Sequence, residues 1–167
     1  MPRGVRIIDY GCGHGEVAAK LARLGFEVQG IDIAKAAISK ARSRYPGIAF
    51  HLESEWKPNN LADVCICFEV IEHVLEPRRL LECLASQLRR GGRLALSTPY
   101  HGLLKNLALV MLGFDRHFDV EGGHIRFFSD AALRRLLHET GFEVKAIRHF
   151  GRVPGFQADS FVWAVRH

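Results

Sequence analysis

The feature that most constrains this chain is an apolar run that breaks into glycines and resumes as a helix. Val5-Arg6-Ile7-Ile8-Asp9 reads as a short buried strand ending at Tyr10-Gly11-Cys12-Gly13-His14-Gly15. Over residues 15–24, Val17, Ala18, Leu21, Ala22 and Leu24 recur with a helical period, and Gly25 closes that helix. The pattern then repeats. Residues 26–32 read as a second strand, 34–44 as a second helix, 48–52 as a third strand and Ala62–Phe68 as a fourth, apolar enough to be central. Residues 77–90 read as helix, Gly91-Gly92 as a turn and 93–98 as a fifth strand.

The last third differs. Residues 100–128 form a long connection with one apolar helix-like run. Ser129 and Asp130 then cap a helix through Thr140. Phe142–Phe150 and residues 160–166 are strands with no helix between them, so they are expected to pair antiparallel. The fold class expected is α/β, a Rossmann-like doubly wound, mostly parallel sheet with a C-terminal antiparallel hairpin. A single domain should cover residues 1–167, with residues 99–128 as a loop or lid on the substrate side.

Composition agrees with one globular domain: 167 residues, 48% hydrophobic and 25% charged, which argues against disorder. Residues 103–114 are the longest apolar run, broken by Lys105 and Asn106 and too short to span a bilayer. Packing against their own domain is expected, since an interfacial helix making peripheral membrane contact would show a strongly charged face. Residues 1–4 lead straight into a strand, so no signal peptide and a cytoplasmic location are expected. Cys12, Cys65, Cys67 and Cys83 contain no C-x-x-C pair and read as reduced core thiols. A net charge of +5 without a basic tail permits nucleic-acid binding but does not demand it.

In a doubly wound sheet, ligands bind beyond the carboxyl ends of the strands. Gly11 and Gly13 would let the backbone turn tightly there and approach a ligand. A dinucleotide fingerprint would want glycine or alanine three residues after Gly13, where this chain has Glu16. An acid in the first helical turn competes with a pyrophosphate for the same positive end, so the loop suits a less anionic ligand than NAD. Asp32 ends the second strand 21 residues after Gly11, placed to accept hydrogen bonds from both ribose hydroxyls of an adenosine.

The stretch from Ile7 to Gly15 resembles the first motif of class I S-adenosylmethionine-dependent methyltransferases. Asp32 matches their ribose-binding acid and Ala62–Phe68 their fourth strand. The similarity runs from residue 5 to the end, terminal hairpin included. It implies S-adenosylmethionine as cofactor and Asp9, Gly11, Cys12, Gly13, Asp32, Ile33, Glu53, Phe68 and Glu69 as its binding residues. In that reading the Gly11–Gly13 backbone meets the methionine part, while Ile33 and Glu53 sit near the adenine, with Glu55 an alternative to Glu53. The N-terminal helices that often cover the cofactor in this family have no counterpart ahead of Val5. An open site, or one covered by a partner subunit or upstream sequence, is therefore expected.

After the fourth strand comes Glu69-Val70-Ile71-Glu72-His73, in which carboxylates and an imidazole could converge on one divalent cation such as Mg, Mn or Zn. This cluster is similar to the E-x-x-E-H of ubiquinone-biosynthesis O-methyltransferases and of small-RNA 2′-O-methyltransferases. The RNA group adds a downstream histidine, for which His124 is the candidate and His101 and His117 compete. Ser97-Thr98-Pro99 also fits these groups, which commonly continue with Asn where this chain has Tyr100.

The expected function is methyl transfer from S-adenosylmethionine to a hydroxyl of a small molecule, with Glu69, Glu72, His73 and His124 as catalytic candidates and as the metal set. The hydroxyl would be deprotonated by a base or by a metal. The alternatives are a non-catalytic nucleoside-binding module, an RNA 2′-O-methyltransferase, and an NAD-dependent oxidoreductase, against which Glu16 speaks. A homo-oligomer is left open. His14, His51, His138, His149 and His167 are read as surface or packing residues.

Overall fold

The computed structural model describes residues 4–57, 61–112, 125–151 and 158–167. Seven strands, β1 (Arg6–Tyr10), β2 (Glu27–Asp32), β3 (Ala49–Leu52), β4 (Ala62–Phe68), β5 (Leu88–Pro99), β6 (Phe142–Phe150) and β7 (Asp159–Arg166), form one sheet. Their order is β3-β2-β1-β4-β5-β7-β6. The first five in that order are parallel, and β7 lies antiparallel between β5 and β6. The expected α/β class and terminal hairpin are both present. Strand order reverses at β1, which pairs with β2 on one side and β4 on the other, so a crevice opens beyond the carboxyl ends of β1 and β4.

The helices are α1 (Glu16–Arg23), α2 (Lys35–Arg44), α3 (Pro77–Gln87), α4 (Leu103–Leu112) and α5 (Asp130–Glu139). Side chains alternate across a strand, and the sheet therefore builds two cores. Ile66 of β4 packs into the layer with Ala18, Ile38, Ala41 and Phe50, where α1 and α2 sit. Its neighbours Cys65 and Cys67 pack into the other layer with Leu81 and Leu84 of α3, Leu133 and Leu137 of α5, and Phe142.

Two elements depart from expectation. α3 ends at Gln87 and not at residue 90, because Leu88 already pairs with Ala62 of β4. The chain bulges through Gly91 and Gly92 before Arg93 takes its place opposite Val64. Burial of Leu88, its carbonyl held by Arg166, and an ion pair of 2.6 Å between Arg89 and Asp63 outweigh the helical period there. The second departure is α4, whose apolar residues were expected inside. Leu103, Leu107, Val110, Met111 and Leu112 are exposed, Leu112 to 87%. Its two polar residues face the body instead: Lys105 Nζ donates to the carbonyl of Tyr100 at 2.7 Å, and Asn106 Oδ1 lies 3.0 Å from His101 Nδ1. Among the described residues, no helix is long and apolar enough to cross a membrane.

The buried layer between α5 and the hairpin sets the scale of stability. Phe142 is fully buried, so Phe142→Ala should cost about 3–5 kcal/mol. Ser129 Oγ caps α5 by accepting the amide of Ala132 at 3.3 Å, and Ser129→Ala should cost about 1 kcal/mol. Urea unfolding of both variants, with unchanged dependence on denaturant, checks that ordering.

Candidate functional site

The glycine loop after β1 is tied to the end of β2 by its own backbone. The amides of Gly11 and Cys12 both donate to the carbonyl of Ile31, at 2.8 and 3.0 Å, and the amide of Gly15 donates to Cys12. Asp32 completes the tie, one oxygen accepting the amide of Gly13 and the other that of Ala34, each at 2.8 Å. These loop donors are thus spent inside the protein and do not point at a phosphate. Gly11 has φ +76°, and a Cβ there would lie 2.3 Å from Val70, so only glycine lets the loop pass beneath the turn after β4. Glu16 opens α1 and pairs with Arg44 at 2.7 Å.

A cleft of about 760 Å³ lies beside this loop. Tyr10, Gly11, Asp32, Ile33 and Glu53 line it together with Glu69, Val70, His73 and the start of α3. The Tyr10 hydroxyl donates to Glu53, and burial together with that carboxylate holds the phenol well above its ordinary pKa. Among the described residues that line the cleft, four carboxylates, Asp32, Glu53, Glu69 and Glu76, stand against a single arginine, Arg79. Such a lining favours a cation and repels a polyanion.

Two further acids are buried next to the cleft. Asp9 is 3% exposed, and its Oδ2 has no hydrogen-bond partner. Burial pushes its pKa up to about 6, against the stabilising hydrogen bond from the Ala18 amide, and the charge of Asp32 adds to the rise. Glu72 is wholly buried, with Oε2 accepting the Thr98 hydroxyl at 3.2 Å. Burial, and Glu69 after it, raise its pKa to about 7. His73 Nε2 lies 3.9 Å from Glu72 Oε1, while its ring is half exposed in the cleft. Glu69 holds the left-handed conformation, φ +53°, that non-glycine residues rarely adopt. Ser97 fixes it there, donating its hydroxyl to Glu69 Oε1 at 2.5 Å.

The structure brings Gly11, Asp32, Ile33, Glu53, Glu69 and His73 of the sequence candidates to one cleft, and sets Asp9 and Glu72 beneath it. Glu55 lies away from it, beside Lys35 and Arg42. Cys12 and Phe68 turn their side chains into the core on the α1–α2 side, Phe68 tilted against Phe161 at 5.7 Å. Burial pushes the Cys12 thiol up to about 12. His117 and His124 lie outside the described residues. Among the described residues no group of three His, Cys, Asp or Glu side chains could hold a metal ion. Within the E-x-x-E-H stretch, Glu72 Oε2 accepts from Thr98, Glu69 Oε1 accepts from Ser97, and Glu72 Oε1 stands 3.9 Å from His73 Nε2. Sequence reasoning missed Tyr10, Val74, Leu75, Arg79 and Leu80 as lining residues. It also placed Cys83 in the core, whereas that thiol lines the cleft and accepts Gln87 Nε2 at 3.1 Å. The α3 residues carried no signal, since a helix face over a cleft has the same period as one over a core.

Residues 2–147 match the family described as "Methyltransferase domain". The chain belongs to the class I S-adenosylmethionine-dependent methyltransferases. A ubiquinone biosynthesis O-methyltransferase from Burkholderia pseudomallei (strain 1710b) is 30% identical over 158 residues, covering 87% of this chain and 67% of that relative. Magnesium protoporphyrin IX methyltransferase from Synechocystis PCC 6803, solved with bound SAH, shares the fold at a TM-score of 0.77 and 23% identity, over 99% of this chain and 75% of that one. An S-adenosylmethionine-dependent methyltransferase from Mesorhizobium loti does so at 0.79 and 18%, over 99% and 94%.

For this methyltransferase, Asp9 links stability to pH. Its folded pKa of about 6 exceeds the ordinary 3.8, so the native state binds the proton more tightly than the unfolded chain. Stability therefore falls as pH rises from about 4 to 6, and the ionised group costs about 3 kcal/mol above that window. Asp9→Asn should raise the melting temperature at pH 7.5 and change it far less at pH 4. Thermal unfolding at the two pH values checks this.

Proposed function

We propose that this methyltransferase transfers its methyl group to a hydroxyl oxygen of a small molecule. The observation that carries the reading is the acidic cleft, four carboxylates against one arginine among the described residues, joined to a glycine loop whose Gly11, Cys12, Gly13 and Gly15 amides are already bonded within the protein. It suits a cationic sulfonium cofactor and a compact acceptor better than a phosphate-rich polymer. The O-methyltransferase relative at 30% identity supports oxygen as the methyl acceptor.

S-adenosylmethionine supplies an electrophilic methyl on a sulfonium centre. In the proposed arrangement Asp32 keeps a second lone pair on each oxygen for the ribose hydroxyls. The orphaned Oδ2 of Asp9, next to the Gly11 turn, is a matching acceptor for the cofactor's ammonium. Ile33, 75% exposed at the end of β2, offers an apolar face to the adenine, and Glu53 stands beside it in the same cleft. Glu69 and His73 face the acceptor, and His73 takes its hydroxyl proton at a ring nitrogen, with buried Glu72 orienting the imidazole. No step is assigned to a metal. In this reading the chain acts as one domain with residues 99–128 on its acceptor side, of which 113–124 lie outside the described residues. There the amides of Ile125 and Arg126 both bond the carbonyl of Glu72, at 3.0 and 3.1 Å.

Calorimetric titration with S-adenosylhomocysteine, followed by radiolabelled methyl transfer to a panel of phenols, sugars and RNA, tests this reading. Binding with label only in small hydroxyl compounds is expected. His73→Gln should lower kcat by about 100-fold or more and leave S-adenosylhomocysteine affinity within about twofold. Label in RNA alone, or an unchanged kcat, would overturn the reading.

A further inference from the structure

We propose that Tyr100 is the residue that positions the methyl acceptor, as a rigid aromatic shelf pinned by His149. The proposal deepens the small-molecule reading above and rests on it. Tyr100 follows β5 directly, its amide donating to the carbonyl of Ala158 at 2.8 Å. Its ring centroid lies 4.1 Å from that of His149, the planes inclined by 43°. That imidazole is held at both nitrogens: Nδ1 is 3.1 Å from Ser160 Oγ and Nε2 is 3.1 Å from Asp130 Oδ2. Strands β6 and β7 and the first turn of α5 therefore converge on one ring. Gly102 leaves the space that Tyr100 fills, since a Cβ there would lie 2.0 Å from the Tyr100 hydroxyl oxygen and 2.3 Å from Cζ. Any side chain at residue 102 would displace the ring.

Serine, histidine and aspartate in one chain of contacts also have the composition of a hydrolytic triad. Ser160 is 3% exposed and pairs within the sheet opposite Thr98 and His149, so its hydroxyl is no nucleophile for a ligand. The trio is a support, and what it supports is the half-buried Tyr100. The location fits an acceptor-side role. Thr98 and Ser97, two and three residues earlier, touch Glu72 and Glu69, which puts Tyr100 about 7 Å of extended chain beyond the proposed acceptor residues. Tyr10, Asp32 and Ile33, assigned above to the nucleoside, line that cleft, whereas the contacts of the Tyr100 ring are with His149 and Gly102. A second ring pair, His101 against Phe127 at 4.7 Å and 72°, stands next to it. The shelf selects a hydroxyl compound with a flat apolar face. A polyol packed on it would leave its own hydroxyl groups unpaired.

The chain has three tyrosines, Tyr10, Tyr45 and Tyr100, so fluorotyrosine labelling yields three fluorine resonances, assignable by single Tyr→Phe replacements. Titration with S-adenosylhomocysteine should move the Tyr10 resonance. Catechol added to that complex should move Tyr100 and leave Tyr45 in place, and glucose should move neither. His149→Gln should weaken catechol binding by about fivefold and leave S-adenosylhomocysteine affinity within about twofold. Gly102→Ala, which displaces the same ring by another route, should do likewise. By calorimetry Tyr100→Phe should retain catechol binding and Tyr100→Leu should lose it. Catechol at about 10 mM leaving the Tyr100 resonance unmoved overturns the proposal, as does equal loss of both ligands in the His149 and Gly102 variants. A Tyr10 resonance that ignores S-adenosylhomocysteine while Tyr100 answers catechol would instead sink the cofactor arrangement and leave the shelf standing.

Discussion

Both oxygens of Asp32 are committed to backbone amides, one in the loop after β1 and one in the turn after β2. That carboxylate makes two βα turns a single rigid unit, and the shape of the cleft depends on it. Together with the two amides that converge on the Ile31 carbonyl, it satisfies the loop from within. A glycine loop of this kind offers a contour and no anion cradle. Glu16 can then open α1 without spoiling a phosphate site, and its bond to Arg44 strengthens the surface next to the loop.

Around that unit the protein keeps charge where water would normally be required. Asp9 and Glu72 each bury a carboxylate oxygen with no hydrogen bond, and burial raises the pKa of both acids well above the ordinary range. Glu69 is held in a backbone conformation that costs about 1–3 kcal/mol, secured by Ser97. Strain and buried acid groups gathered beyond the ends of β1 and β4 oppose folding and favour a site. They are affordable because the two apolar layers on either side of the sheet are continuous.

Much of the fold could be read from the chain. The strand, glycine turn and helix at residues 5–24, and their repetition, specify parallel βαβ units because crossover handedness leaves few alternatives. Ala62–Phe68 was legible as a central strand, since apolar residues on both of its faces need cover from both sides. The end of α3 was not, because Leu88 is apolar in phase with the helix and only pairing to Ala62 pulls it into the sheet. α4 misled for a related reason. Its composition asks for burial, but Lys105 and Asn106 find their hydrogen bonds on the body of the protein, and Leu103, Leu107 and Leu112 are exposed.

Local chemistry in the sequence therefore determined the strands, the glycine loop, Asp32 at the end of β2 and the acid-rich turn after β4. These follow from period, turn residues and strand-end position, which are properties of neighbours along the chain. Only the tertiary structure decided which way each side chain faces. It turned Glu72 onto Thr98, put Cys83 on the cleft wall, sent Cys12 and Phe68 into the core, and set His149 between Asp130, Ser160 and Tyr100. Such contacts join residues far apart along the chain, as do the pairings of β5 with β7, where Arg93 faces Val165, 72 positions on. No period within a segment encodes them, because each depends on the free energy of packing whole elements against one another.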